Sequence, residues 1–384
     1  MKRVLIVASV ISFIEWFNKE NVSFLHDESG CEVHIACNFE YMEDTDEART
    51  VAYIESLKAS GVILHQVPFD RSPLGRQNLA AYKLLKSIID SVHFDLIHCH
   101  TPAASVYTRL AARRARKSGA VVMYTCHGFH FHASSPKKNW LIYYPIEKAL
   151  SRCCDYLVTI NHEDYRMART FHAKHVRCIP GVGVDLKRIQ NAAIDRAEYR
   201  SSIGIPEGAV MLLSLGELIE RKNHEVIIRA LALLNRDDVY YVICGKGPLH
   251  DHLISLAKDL NVAERVILLG FRTDVPELCN AADIGAFPSK IEGLGLAGIE
   301  IMAAGVPLVA SNVHGILDYV RDGETGYICP PQDEKAFAAA IGRLLEDPAL
   351  TEKMRENCIE AVKPFDIDNV LGVMRGIYKE ILKA

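Results

Sequence analysis

ADIGAFPSKIEGLGLAGIEIMAAGVPLVAS, residues 282–311, holds the smallest complete piece of the fold. ADIGAFPS is a short apolar run that closes on Pro and Ser, the signature of a buried strand. LAGIEIMAAG has helical character and is stopped by Gly305 and Pro307, after which VPLVAS begins a second apolar run. A strand, a glycine loop, a helix and another strand in this order make a parallel βαβ unit.

The same alternation extends in both directions. Upstream in the same half are VMLLSLGE, VYYVICGKG and RVILLGF, and downstream is TGYICPP. The first half supplies RVLIVAS, CEVHIAC, VILHQVPF, DLIHCH, VVMYTCH and YLVTI, with the amphipathic LAAYKLLKSIIDSV between two of them. Between the halves, IPGVGVD (179–185) is a Pro/Gly stretch suited to a linker. The pattern predicts an α/β protein of two doubly wound, Rossmann-like domains facing across a cleft. Residues 1–180 form the first and 181–364 the second. The final helical segment, 365–384, is expected to pack back on the first. Ligands of such sheets bind beyond the carboxyl ends of the strands, so the loops there carry the most weight.

Bulk properties agree. A chain of 384 residues exceeds one core of usual size. Its 49% apolar and 24% charged content is that of a globular protein. No run reaches the length of a membrane span. MKRVLIVASVISFIEWF has the outline of a signal peptide, but Glu15 interrupts it and KRVLIVAS reads as a first strand. The eleven cysteines are odd in number and form no CxxC, which predicts buried free thiols in a reducing cytoplasm and no structural zinc. Residues 1–180 carry 22 basic against 18 acidic side chains and the remainder 22 against 30. That excess is too small to mark a nucleic-acid partner.

Within the opening stretch, EGLGLAGIE (292–300) puts Glu292 and Glu300 on either side of a glycine turn. The turn presents backbone N–H groups at a helix N-terminus, which suits a phosphate. Gly293 and Gly295 would let the backbone approach a ligand without a Cβ in the way. The two acids could then accept hydroxyl hydrogen bonds from a sugar and a ribose. The spacing alone fits equally well a glycine loop followed by a Glu that complements the helix dipole.

EGLGLAGIE, followed by MAAGVPLVAS and DGETGYI, resembles the paired-glutamate signature of the family-4 glycosyltransferases, which are retaining, metal-independent enzymes of the GT-B fold. HCHTP (98–102), TCHGFHFH (125–132), IPGVGVD, GELIERKNHE (216–225), CGKGP (244–248) and GFRTDVPELCNAADI (270–284) extend the resemblance over nearly the whole chain. The HGFHF element is similar to a bacterial subgroup that builds capsules, exopolysaccharides and lipid-linked glycans. The resemblance implies that Glu292 contacts donor-sugar hydroxyls and Glu300 the ribose. Gly295, Leu296 and Ala297 would offer backbone contacts, and Lys222 would neutralise the diphosphate. His127 would face the donor sugar. Family members usually carry Arg directly after the glycine at Gly216, where this chain has Glu217. Arg221 substitutes for it only if its side chain turns inward, and otherwise reads as a solvated charge.

On the acceptor side, His130 and His132 are expected to line the site, while His98 and His100 fix strand-end loops. The segment after the first strand, ASVISFIEWFN, lacks the glycines usual in the family. It is expected to form a loop in which Ser9, Ser12 and Phe13 shape the acceptor mouth. DTD (44–46) mimics a metal-binding motif but lies in an acidic stretch that reads as surface. No metal and no cofactor is expected. RLAARRARKSG (109–119) reads as a solvated helix or as a contact with anionic lipid, and KKNWLIYYPIEK (137–148) as a second membrane-edge surface. The implied activity is transfer of a sugar from a UDP-sugar to a glycan or lipid-linked acceptor by a cytoplasmic enzyme, peripheral on the inner face of the membrane. Two rivals share the motifs: a UDP-sugar 2-epimerase, and a non-catalytic nucleotide-sugar-binding subunit.

Overall fold

A computed structural model describes residues 1–41, 47–70, 75–133 and 135–383. The DTD segment at 44–46 therefore lies outside the described residues. The chain divides into one unit of Met1–Val182 with Asp368–Ala384 and a second of Gly183–Ile367.

The first unit holds a seven-stranded parallel sheet. Its strands are β1 (Arg3–Val10), β2 (Glu32–Asn38), β3 (Ile63–Gln66), β4 (Leu96–Cys99), β5 (Val121–Cys126), β6 (Tyr156–Thr159) and β7 (His175–Cys178), in the order β3-β2-β1-β4-β5-β6-β7. Helices cover both faces, so central strands read as continuous apolar runs: Val4 to Ala8 of β1 are wholly buried. β7 is missing from the apolar runs of the sequence. It is an edge strand of sequence HVRC, half-buried throughout, and its alternating polar residues hide it from an apolar count. The expected loop after β1 is likewise absent, because the strand runs directly into a helix, Ile11–Phe17, that buries Ser12.

The C-terminal helix, Ile367–Lys383, belongs to this unit from Asp368 onward. Val370, Met374, Ile377, Tyr378 and Ile381 form its buried stripe, at the three- and four-residue spacing of one helical face. The Tyr378 hydroxyl lies 2.9 Å from His98 Nδ1, and Tyr156 donates to Glu380 at 2.7 Å.

The second unit repeats the design with six parallel strands: β8 (Val210–Leu215), β9 (Val239–Cys244), β10 (Val266–Gly270), β11 (Ile284–Phe287), β12 (Leu308–Ser311) and β13 (Gly326–Cys329). Their order is β10-β9-β8-β11-β12-β13. In each sheet the chain reverses its winding once, between β1 and β4 and between β8 and β11. Those reversals create the crevices in which doubly wound sheets take ligands.

One charge expected at the surface is interior. Arg109, read as part of a solvated or lipid-facing cluster, is completely buried. Its guanidinium donates to Glu147 at 2.8 Å and to the Ser105 carbonyl at 3.0 Å, and lies 4.3 Å from the Tyr124 ring centre. RLAARRAR puts these cations on one segment, but the helix that carries Arg109, Pro102–Ala111, ends before Arg113, so Arg109 stays packed in the core while Arg113 and Arg114 stand exposed on a separate short helix, Arg113–Lys117. A buried ion pair stabilises little over apolar residues of the same shape, yet breaking it strands a charge. Glu147→Gln should therefore cost about 3–5 kcal/mol, and the double variant Arg109→Met/Glu147→Leu much less. Urea denaturation followed by tryptophan fluorescence checks this in the first unit, where Trp16 and Trp140 both lie.

Candidate functional site

In the second unit the switch point is flanked by two loops, one after β8 and one after β11. Several contacts bind them together. Lys290 donates its peptide N–H to the Arg221 carbonyl at 2.8 Å. Asn223 adopts the left-handed conformation at φ 58°, and its side-chain amide donates to the Pro288 and Pro331 carbonyls at 2.9 and 2.7 Å. Asn tolerates that backbone region better than most residues, which places it at this corner.

The charged residues of both loops converge on Glu292, which is 6% exposed. Its Oε1 accepts from Lys222 Nζ at 2.5 Å, from Ser289 Oγ at 3.0 Å and from Arg221 Nη1 at 3.2 Å. Arg221 thus turns inward, donating also to the Ile291 carbonyl at 3.3 Å, with Glu217 3.9 Å from its other terminal nitrogen. A Cβ at Gly216 would come within 3.3 Å of the Lys222 side chain, so the glycine keeps the lysine's path open. The next loop is as close: a Cβ on Gly245 would sit 1.8 Å from the Gly216 carbonyl oxygen.

Gly295 has φ +85° and caps the helix Leu296–Ala303. The expected reason for this glycine, room for a ligand, is not the one that the geometry shows. A Cβ here would lie 2.5 Å from the Phe287 ring and 3.1 Å from the Tyr319 hydroxyl, which donates to the Gly295 carbonyl. Internal packing and a left-handed φ require it. Gly293, Leu296 and Ala297 are half-buried at the same turn, and the two latter open the helix with their N–H groups. Glu300 follows one turn on. Burial pushes its carboxyl up to about 7, and the Arg188 charge opposes that shift only in part.

In the first unit, His127 directly follows β5. Its Nε2 shares a hydrogen bond of 3.1 Å with His100 Nδ1, and the Phe13 ring meets it edge-on at 4.7 Å. Burial pushes the His127 imidazole down to about 4, so the ring is neutral at pH 7. The segment is anchored by its phenylalanines: Phe129 and Phe131 stack at 4.8 Å inside the core. That arrangement separates the two acceptor-side candidates. His130 points outward and stacks on Tyr143 at 4.7 Å, whereas His132 is 3% exposed. Ser12 is buried as well.

His100 is the residue that sequence reasoning passed over. Its sequence position suggests only a loop-fixing role beside His98, although the two-residue period of β4 puts both rings on one side, 4.0 Å apart. The next residue, Thr101, has φ +57°, uncommon for a β-branched side chain. Its hydroxyl is tied to Ser9, accepting from the Ser9 peptide at 3.0 Å. Among the described residues no group of three or more His, Cys, Asp or Glu side chains is placed to hold a metal ion.

Two doubly wound parallel sheets, each with its switch point and the second with a cation–glutamate cluster on it, define the GT-B class of α/β proteins. The chain belongs to the family-4 glycosyltransferases of that fold. The family profile "Glycosyltransferase Family 4" matches residues 21–188, and "Glycosyl transferases group 1" matches residues 195–363. The chain is 34% identical to the putative glycosyltransferase EpsD of Bacillus subtilis, over 98% of this chain and 96% of that protein. It is 28% identical to an Escherichia coli enzyme, UDP-Gal:alpha-D-GlcNAc-diphosphoundecaprenol alpha-1,3-galactosyltransferase, over 79% of each. The crystal structure of Anabaena HepE in complex with UDP superposes with a TM-score of 0.79 at 20% identity, covering 99% of this chain and all of the other. Among the described residues no helix is long and apolar enough to cross a membrane.

Proposed function

We propose that this glycosyltransferase moves a hexosyl group, an N-acetylhexosamine in our reading, from a UDP-sugar to a polyprenyl-diphosphate-linked glycan, without a metal and with retention at C1. The observation that carries it is the convergence of Lys222 and Arg221 beside the N-terminus of the Leu296–Ala303 helix, at the switch point of a doubly wound sheet. A diphosphate is the ligand for which two cations and helix N–H groups are suited. The family Arg missing at Glu217 has its counterpart in Arg221, whose guanidinium reaches the same carboxylate as Lys222. The named substrates of the E. coli relative, a UDP-sugar and a diphosphoundecaprenol-linked sugar, support the donor and acceptor classes. EpsD and the HGFHF element support a place in exopolysaccharide or capsule assembly.

In this mechanism the bond from C1 to the diphosphate oxygen breaks and the acceptor hydroxyl attacks C1 from the same face. The proton of that hydroxyl passes to the departing diphosphate. No protein nucleophile is needed. Lys222 and the helix N-terminus stabilise the growing charge, Glu292 holds sugar hydroxyls, and Glu300 accepts from the ribose. His127, in the first unit, is assigned to the donor sugar by resemblance.

A panel of nucleotide sugars incubated with a polyprenyl-diphosphate-linked acceptor tests the reading, with EDTA in one arm. Transfer from a UDP-sugar should survive EDTA and fall about 10²- to 10³-fold in Lys222→Ala. Interconversion of C2 isomers without acceptor would instead establish the epimerase, and abolition by EDTA would remove the phosphate site proposed here.

The elevated Glu300 carboxyl gives a second expectation. Ribose hydroxyls donate best to the charged form, so UDP binding should favour deprotonation, and affinity should rise with pH through about 7. Glu300→Gln should bind UDP about tenfold or more weakly at pH 8. The ratio of wild-type to variant affinity should shrink towards pH 5.5. Calorimetry measures it, and a ratio independent of pH would detach Glu300 from the ribose.

Membrane contact is assigned to the helix Lys137–Leu150 of the first unit. Leu141, Ile142 and Ile146 are 79%, 51% and 40% exposed there, beside Lys137 and Lys138. Its first turn is tied to the histidine segment through Asn139, which donates to the His130 carbonyl at 2.7 Å. Arg113, Arg116 and Lys117 instead line a cavity with Arg152 and Lys174, ahead of β5, β6 and β7, at the strand ends opposite His127. Leu141→Glu should weaken binding to phosphatidylglycerol vesicles far more than Arg113→Glu does. The reverse order would move the contact to the arginine cluster.

A further inference from the structure

Beside His127, inside the first unit, lies a cavity of about 20 Å³ lined by His127, His100, Asn18, Asn21, Thr125 and Met374 among others. Its polar atoms form an incomplete set. Asn21 Nδ2 donates to Asn18 Oδ1 at 3.3 Å. That contact uses one end of each amide and leaves Asn18 Nδ2 and Asn21 Oδ1 buried without a partner. His100 Nε2 is in the same condition, on a side chain that is 2% exposed. A donor, an acceptor and a ring nitrogen therefore line a space of about one water's size. Buried polar groups in folded proteins find partners, and a polar cavity of this volume is where an ordered water supplies them.

We propose that a single buried water fills this cavity and that His100, completed by it, couples its own tautomer to that of His127 and fixes the orientation of the His127 ring. His100 is then a positioning residue. The value of that orientation for sugar transfer rests on the function proposed above, but the tautomer itself does not.

One proton is shared between His100 Nδ1 and His127 Nε2, 3.1 Å apart. With both rings neutral there are two arrangements. If His127 Nε2–H donates, His100 carries its proton on Nε2, and both rings are Nε2–H tautomers. If His100 Nδ1–H donates, His127 carries its proton on Nδ1, and both are Nδ1–H tautomers. The hydrogen bond thus locks the two rings to the same tautomer, and the water meets either one, because it can accept from His100 Nε2 or donate to it. His98 holds the other side of His100. Its ring lies 4.0 Å away, and its nitrogens are 2.8 Å from Thr125 Oγ1 and 2.9 Å from the Tyr378 hydroxyl.

Long-range ¹H–¹⁵N NMR of the imidazoles in the labelled full chain reads the tautomers directly. His100 and His127 should show matching tautomers at pH 7.5, and water should cross-relax with the Asn18 amide protons. In His100→Leu the His127 ring loses that partner, and its tautomer populations should shift. Hydrolysis of UDP-N-acetylglucosamine by this variant should then fall roughly ten- to a hundredfold in kcat with little change in KM, as when other oriented histidines lose an outer partner. His100→Asn, whose amide reaches the position of Nδ1 and can donate or accept there, should restore the hydrogen bond to His127 and return the tautomer populations and turnover towards those of the wild type. Opposite tautomers in the wild-type protein, or a dry cavity, overturn the proposal even where a variant fails to fold. So does a loss of turnover in His100→Leu with the His127 tautomer unchanged. Absence of UDP-N-acetylglucosamine hydrolysis in every form would count against the functional reading and leave the tautomer result standing.

Discussion

Glu292 is a carboxylate taken almost wholly out of water, and the crevice of the second unit is organised around it. Three donors from two loops meet at one of its oxygens, and those loops have no regular secondary structure of their own to hold them. Without the carboxylate, Lys222 and Arg221 would be two cations at close quarters and the β8 and β11 loops would separate. Asn223 and Lys290 then fix the backbone at a separation that lets the side chains meet. Any anion that engages Lys222 does so in competition with Glu292, so the resident pair sets the threshold that a ligand must exceed.

Much of this was legible in the residues. The apolar runs located twelve of the thirteen strands because parallel strands buried on both faces leave an unbroken signal. The exception, β7, lies at an edge, where half of each residue faces outward. Motif order along the chain brought Lys222, Glu292 and the Gly295 turn to one place, since loops after neighbouring strands of a doubly wound sheet must converge. What was not legible depended on where a helix breaks or on side-chain direction. Arg109 lies on a helix that ends at Ala111 and Arg113 begins the next one, a break that the run of alanines and arginines does not announce. Arg221 could be read as solvated until its side chain was seen to reach Glu292. His100 looked like a strand-end residue because its partner, His127, is 27 positions away in the chain.

Glycine shows the same limit. The turn at 293–295 reads as space left for a ligand, and at Gly295 the space is filled by Phe287 and Tyr319. The two demands are compatible, since a turn pulled tightly onto its own core presents its N–H groups outward. A sequence records that a side chain is forbidden, not which neighbour forbids it.

The return of the last helix to the first unit has a consequence for synthesis. The chain begins and ends in the same unit, so the second is an insertion within it, joined at both ends. Tyr378, the partner of His98 Nδ1, leaves the ribosome 280 residues after it, an interval of about 15 to 55 s at usual elongation rates. Throughout that time the groove that receives Val370, Met374 and Ile377 stands open, while the second unit can already close on its own core. The half of the molecule made first is thus finished last, and His98 beside His100 is one of the places where it waits.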